Sequence, residues 1–180
     1  MTKSGRNVWA AGWLHECVMV RDARPEEFAS IGALRVAAYR ADGFLSDTSP
    51  YAERLRTLGT DGAGEVLVAA DGDSLLGTVM LQPWPHGGQV LRGPGEAEIR
   101  ALAVAKQARG RGIGRTLLTA VTERAAARDV QHLLLLTLPD MRAAQQLYLT
   151  AGFSRLPDRD YQPESGPLLL AFGLPLNGGA

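Results

Sequence analysis

The chain has a single cysteine, Cys17, in 180 residues. That excludes an intramolecular disulfide and any cysteine-based metal cluster. It has no excess charge of either sign, with 19 basic and 19 acidic residues. A bulk nucleic-acid or anionic-membrane binder would carry a basic surplus. The three histidines, His15, His86 and His132, are scattered without H-x₃-H or HExxH spacing, which argues against a zinc hydrolase. No apolar run approaches the roughly 18–20 residues of a membrane span. Val8–Leu14 is short, broken by small residues and followed at once by His15 and Glu16, unlike a secretory signal. The expectation is a cytoplasmic protein, with translation starting at Met1 or at Met19.

What is present reads as one domain, since a domain takes roughly 100–200 residues. No repeat or linker splits it. Residues 1–16 are expected to be a flexible extension, 17–176 a single domain and 177–180 a tail. Val18–Arg21 is a strand candidate. Pro25 opens a helix, with Glu26 and Glu27 complementing its N-terminus. Phe28, Ile31, Leu34 and Ala38 recur at helical steps and give it one buried face. Ser49-Pro50 starts a second helix that Gly59 ends. Glu65–Ala70 and Ser74–Leu81 flank the turn Asp71-Gly72-Asp73 and form a hairpin. Residues 82–95 are rich in proline and glycine; a loop longer than roughly a dozen residues favours function or disorder.

Glu96–Val104 is the next strand. A third helix carries the stripe Ile113, Leu117, Leu118, Val121 and Ala125. His132–Leu138 is almost wholly apolar, as a strand buried on both faces should be. Pro139–Ala151 reads as a fourth helix with Gly152 at its C-cap. Phe153–Leu156 and Leu168–Leu174 read as the last strands. The sum is a mixed α/β sheet domain.

Between the strand ending at Val104 and the third helix lies Ala108–Arg115, ARGRGIGR. Gly110, Gly112 and Gly114 let the backbone take positive φ and approach a ligand closely. Successive N–H groups in such a turn make an anion nest, and a helix N-terminus adds about half a positive charge. Arg109, Arg111 and Arg115 add counter-charge. A pyrophosphate is the ligand this chemistry suits. It is not a P-loop, because Arg109 stands at the first glycine position and Arg115 replaces the lysine. It is not the dinucleotide fingerprint either, because Arg115 stands at the third glycine position.

Arg109-Gly110-Arg111-Gly112-Ile113-Gly114 resembles the R/Q-x-x-G-x-G/A signature of the GNAT superfamily, the acetyl-CoA-dependent N-acetyltransferases. Glu98–Val104, EIRALAV, looks like that family's central strand. Ala144–Phe153, AQQLYLTAGF, resembles its A-x-x-L-Y-x-x-x-G-F block. A helix and a strand lie between the two blocks, and the order of elements matches over about residues 18–176. The resemblance implies a mixed, mostly antiparallel twisted sheet, with a parallel pair at the cofactor cleft and about four flanking helices. It also implies direct transfer of an acetyl group from acetyl-CoA to an amine.

The resemblance assigns roles residue by residue. The amine must lose a proton before it attacks, and a carboxylate or a water it orders can take that proton. Glu98 matches the family's base; Glu96 and His86 are the alternatives. Glu98, Arg100, Leu102 and Val104 share one parity, which predicts one common sheet face. The main chain of Leu102, Ala103 and Val104 would pair with pantetheine, and the Leu102 N–H would polarise the thioester oxygen. The amides of Gly110, Arg111, Gly112, Ile113, Gly114 and Arg115 would hold the pyrophosphate beside Arg109. Tyr148 matches the tyrosine that protonates the leaving thiolate; it also fits a core stripe with Met141, Ala144 and Ala151. Met141 stands where many members have a cofactor-contacting asparagine, and Lys106 replaces the usual proline.

The acceptor side is less defined. Tyr39–Leu45, Trp84, His86 and Tyr161 are candidates for an amine pocket, with Asp42 or Asp47 pairing an ammonium group. A small molecule or amino-acid derivative is the expected acceptor, with a protein N-terminus or lysine as the alternative. A non-catalytic acyl-CoA-binding protein is the competing class, and a longer acyl donor such as succinyl- or propionyl-CoA is a variant of the first. Neither nucleic acid nor membrane is expected as a partner. A homodimer is expected from the exposed terminal strands.

Overall fold

The computed structural model describes residues 18–176. The extension expected over 1–16 and the tail over 177–180 lie outside the described residues. Strands β1 (Met19–Asp22), β2 (Glu65–Asp71), β3 (Ser74–Pro83), β4 (Glu96–Val104), β5 (His132–Thr137), β6 (Ser154–Arg155) and β7 (Leu170–Pro175) form one sheet. Its order is β1-β2-β3-β4-β5-β7-β6. Every neighbouring pair is antiparallel except β4 and β5. The helices are α1 (Phe28–Ala41), α2 (Tyr51–Thr57), α3 (Ile113–Ala126) and α4 (Arg142–Thr150). A parallel pair needs a crossover, and α3 supplies it. This is the mixed, mostly antiparallel α/β fold expected from the sequence. Among the described residues no helix is long and apolar enough to cross a membrane.

Alternation along the strands sends side chains to two separate cores. On one face Leu67, Val79, Leu81, Ile99, Leu133 and Leu135 meet α3 through Ile113, Leu117, Leu118 and Val121, and meet Tyr148 of α4. On the other face Val66, Val68 and Met80 meet Ile31 and Phe28 of the first helix. Val36, Leu45, Ala52 and Leu55 join α1 to α2. The two helices pass so close that a Cβ on Gly32 would lie 2.6 Å from the Arg56 carbonyl oxygen. Only glycine permits that approach.

Three details differ from the sequence reading. β3 runs on to Pro83, and the loop after it is packed. Val90 and Leu91 are buried against Leu134 and Ala171, and Arg92 donates to the Asp158 carbonyl at 2.6 Å. α4 starts at Arg142, because Pro139 and Asp140 form a turn that the Gln145 amide secures by donating to the Leu138 and Pro139 carbonyls. The strand expected over Phe153–Leu156 shrinks to Ser154–Arg155.

Candidate active site

The site begins where β4 and β5 part. They pair in parallel from Glu96 with His132 to Ile99 with Leu135, and β4 has no partner on that side beyond Ile99. On its other side β4 carries a bulge. Arg100 faces Met80, but Ala103 faces Thr78, so β4 spends one residue more than β3. Ala101 absorbs it at φ 50°, a left-handed conformation costing roughly 1–2 kcal/mol in an L-residue. The bulge overturns the expected parity. A residue pair on opposed strands shares a face, so Arg100 and Ala103 lie together. Leu102 and Val104 turn instead to the α3 side, where they pack on the core that holds Ile99 and Leu117. Glu98, Arg100, Leu102 and Val104 therefore do not share one face.

The gap is a cleft of about 560 Å³ lined by Ala101–Val104 of β4, Tyr39, Asp42 and Phe44 at the end of α1, Gly114 of α3, and Leu147 and Tyr148 of α4. Met141 also lines it, at the position where the resemblance implies a cofactor-contacting asparagine.

The glycine turn closes one end. Gly110 and Gly112 have φ of 76° and 78°, and Gly112 is the N-cap of α3. No atom lies within 4 Å of a Cβ built on either. Glycine is needed here for its backbone angle, and the space above the turn is open. The first N–H groups of α3 have no helical partners of their own. Arg109 lines the cleft, but its guanidinium is tied to α1: it pairs with the Asp42 carboxylate and donates to the Ala38 carbonyl at 3.3 Å. A cation suits the end of a helix, where carbonyls are left over.

Glu98 is 5% exposed and does not line the cleft. Its carboxylate accepts the Gly88 N–H at 2.7 Å and lies 3.9 Å from the Arg100 guanidinium. Burial raises its pKa, against the pull of Arg100 and the Gly88 amide. Arg100 also donates to Gln82 Oε1 at 2.8 Å. The two alternative bases fare differently. Burial works against the Glu96 anion, yet Arg159 at 2.7 Å, the Arg92 N–H and nearby charges hold its pKa down. His86 is exposed in the packed loop, away from the cleft.

Tyr148 belongs to the core and also borders the cleft. Its ring packs at 6.0 Å from Phe153 and 6.1 Å from Phe172, while the residue lines the cleft. Burial pushes its phenol up to about 12. It is a neutral, protonated group.

Of the acceptor candidates, Tyr39, Asp42 and Phe44 reach the cleft, whereas Asp47 pairs with Arg40 at 3.5 Å. Tyr161 pairs with Leu169 through the backbone. Trp84 is exposed outside the cleft. Sequence reasoning missed Arg35, which is fully buried on α1. It sat unnoticed because an arginine one turn from Ile31 reads as the polar margin of an apolar stripe.

The family model for the acetyltransferase (GNAT) family matches residues 28–153 of the chain, from the start of α1 to just past α4. N-alpha-acetyltransferase 30 of Schizosaccharomyces pombe is 36% identical over 88 residues, a match spanning 49% of this chain and 56% of that protein. The chain thus spans about half the length of that curated relative. Among solved structures, ribosomal-protein-alanine N-acetyltransferase from Brucella melitensis is 26% identical with a TM-score of 0.64, covering 88% of this chain and 99% of the other. A Salmonella typhimurium protein solved with its cofactor acetyl-CoA is 19% identical with a TM-score of 0.64, covering 91% and 96% of the two chains.

Proposed function

Because the chain belongs to the acetyltransferase (GNAT) family, we propose that it transfers an acetyl group from acetyl-CoA directly to the amine of a small molecule or amino-acid derivative. The observation that carries this reading is the half of β4 that has lost its strand partner and borders the cleft. An extended chain such as pantetheine can pair with that main chain as a strand would. The residues fit the rest of the cofactor as well. The open turn at Gly110 and Gly112, with the N-terminal amides of α3, suits a pyrophosphate. Arg109 acts by holding this turn against α1 rather than by touching phosphate.

Bound acetyl-CoA supplies an activated thioester carbonyl. The chain supplies the proton handling and the positioning. The Leu102 N–H is the donor we assign to the thioester oxygen. Glu98 takes the proton of the incoming ammonium group; since its carboxylate lies off the cleft, a water relays it. Its raised pKa brings it nearer to the working pH, which favours a general base. Tyr148 gives its phenolic proton to the departing sulfur, and its buried ring keeps that proton in place until then. The two groups work from opposite sheet faces, and they can do so because the sheet is split where β4 leaves β5.

Two relatives carry the names N-alpha-acetyltransferase and ribosomal-protein-alanine N-acetyltransferase, and this supports a second reading with a protein N-terminal amine as acceptor. A panel of amines, amino acids and short peptides, scored by acetyl-CoA-dependent release of CoA thiol, tests the proposal. Release that depends on a small amine supports it. Release with peptides alone moves the acceptor to protein N-termini. Tight acetyl-CoA binding without release to any amine returns the chain to a non-catalytic acyl-CoA-binding role.

A further inference from the structure

Arg35 is the most buried cation of the described residues, with no exposed surface. It projects from α1 into the cluster formed with α2. One nitrogen, Nη1, donates to the Leu58 carbonyl at 2.7 Å and weakly to the Leu55 carbonyl at 3.4 Å. Its Nε and Nη2 have no partner at all. These two nitrogens form one edge of the guanidinium, the edge whose parallel N–H bonds match the two oxygens of a carboxylate. No aspartate or glutamate of the described residues supplies that carboxylate.

An unpaired buried charge is costly, and burial brings the Arg35 pKa down to about 10, with the Arg100 charge adding to the effect. Arg100 in turn lies 3.9 Å from the Glu98 carboxylate. The cluster around Arg35 backs onto the cleft. Tyr39, one turn further along α1, and Ala101 at the bulge each pack on that cluster and line the cleft.

We propose that the Nε–Nη2 edge of Arg35 is a carboxylate subsite on the acceptor side of the cleft, so that the acceptor is a small amine which itself carries a carboxylate. This rests on the transferase reading for the amine half of the ligand, but not for the carboxylate half. The carboxylate reaches the fork when the Tyr39 ring turns aside. The positive field of Arg100 draws it in, while Glu98 favours the ammonium end. A neutral amide of the same shape leaves the fork empty. The peptide N-terminus of a long chain brings no carboxylate to it.

The test compares free amino acids, including β- and γ-amino acids, with their primary amides on the full chain. Thermal unfolding is recorded without cofactor, and CoA thiol release is recorded with acetyl-CoA. At least one acid should raise the melting temperature where its amide does not. That acid should be acetylated with a kcat/KM about tenfold or more above its amide, as expected for a charge-assisted fork. In Arg35→Lys, which keeps a cation near the end of α2 but lacks the fork, the acid-over-amide ratio should fall toward one through KM. If that variant does not fold, the wild-type ratio decides alone. Amides that stabilise and react as well as acids overturn the proposal. So does equal stabilisation by chloride, which would mark a hole for any anion. If acetyl-CoA fails to bind, the transferase reading falls, and the acid-against-amide melting comparison still decides this one.

Discussion

At the scale of single residues, the account depends on two groups with opposite tasks. In the proposed mechanism Tyr148 is a proton donor, and its ring is also part of the core. Tyr148→Phe keeps the packing on Phe153 and Phe172 and removes only the hydroxyl. Turnover should fall by roughly 10²-fold, while acetyl-CoA affinity measured by calorimetry stays the same. Equal turnover would make Tyr148 a core residue alone. In the proposed mechanism Glu98 is the proton acceptor, and burial raises its pKa. A wild-type rate limited by this base falls as pH drops through that raised value. Glu98→Gln should lose roughly 10²-fold near neutrality and recover part of the loss at high pH, where the free amine deprotonates in solution. A pH-rate profile identical to wild type would exclude Glu98. Both residues were legible in the sequence because each sits in a short pattern with fixed spacing. Arg35 was not, since nothing in the chain distinguishes an arginine that caps a neighbouring helix from one that faces water.

At the scale of elements, the sequence was most informative where the periodicity was unbroken. The α3 stripe Ile113, Leu117, Leu118, Val121 and Ala125 is wholly buried. The turn before it was readable because positive φ at Gly110 and Gly112 belongs to glycine. β4 was misread in its second half. A bulge that uses alanine leaves no mark in a run such as Ala101-Leu102-Ala103, yet one extra residue exchanges the faces of everything after it. The start of α1 offers a test of a different kind. Glu27 binds the Arg21 guanidinium at 2.7 and 2.8 Å and accepts the Arg24 N–H at 2.8 Å, joining β1 to α1. The Arg21 hydrogen bonds outweigh burial and hold its pKa down at about 2. A folded pKa below the unfolded one, about 4.3, stabilises the fold at higher pH. That contribution fades as pH falls from the unfolded value through the folded one. Denaturant titrations of wild type and Glu27→Gln should differ in midpoint at neutral pH and converge as pH approaches about 2. A gap that persists at low pH would mean that packing, not charge, joins the two elements.

At the scale of the whole molecule, function follows from where a continuous sheet is allowed to open. Six strand pairs build the sheet, and its parallel pair, β4–β5, ends at Ile99 while β4 runs on to Val104. The opening links a face covered by α1, α2 and the packed loop after β3 to a face covered by α3 and α4. Glu98, Arg100 and Arg35 stand on the first side, Tyr148 and the glycine turn on the second. In the proposed mechanism the acceptor and the donor approach one gap from separate sides. The balanced net charge leaves recognition to these local groups rather than to a field over the surface. The central claim is that acetyl-CoA occupies this gap with its pyrophosphate on the turn before α3. Calorimetric titration of acetyl-CoA into wild type and into Gly112→Asp tests it most directly, with thermal unfolding of both as the control for folding. The account predicts micromolar binding by wild type and none by a folded Gly112→Asp, whose carboxylate would stand in the anion nest. Equal affinity in the two proteins, or no binding by wild type, would contradict it.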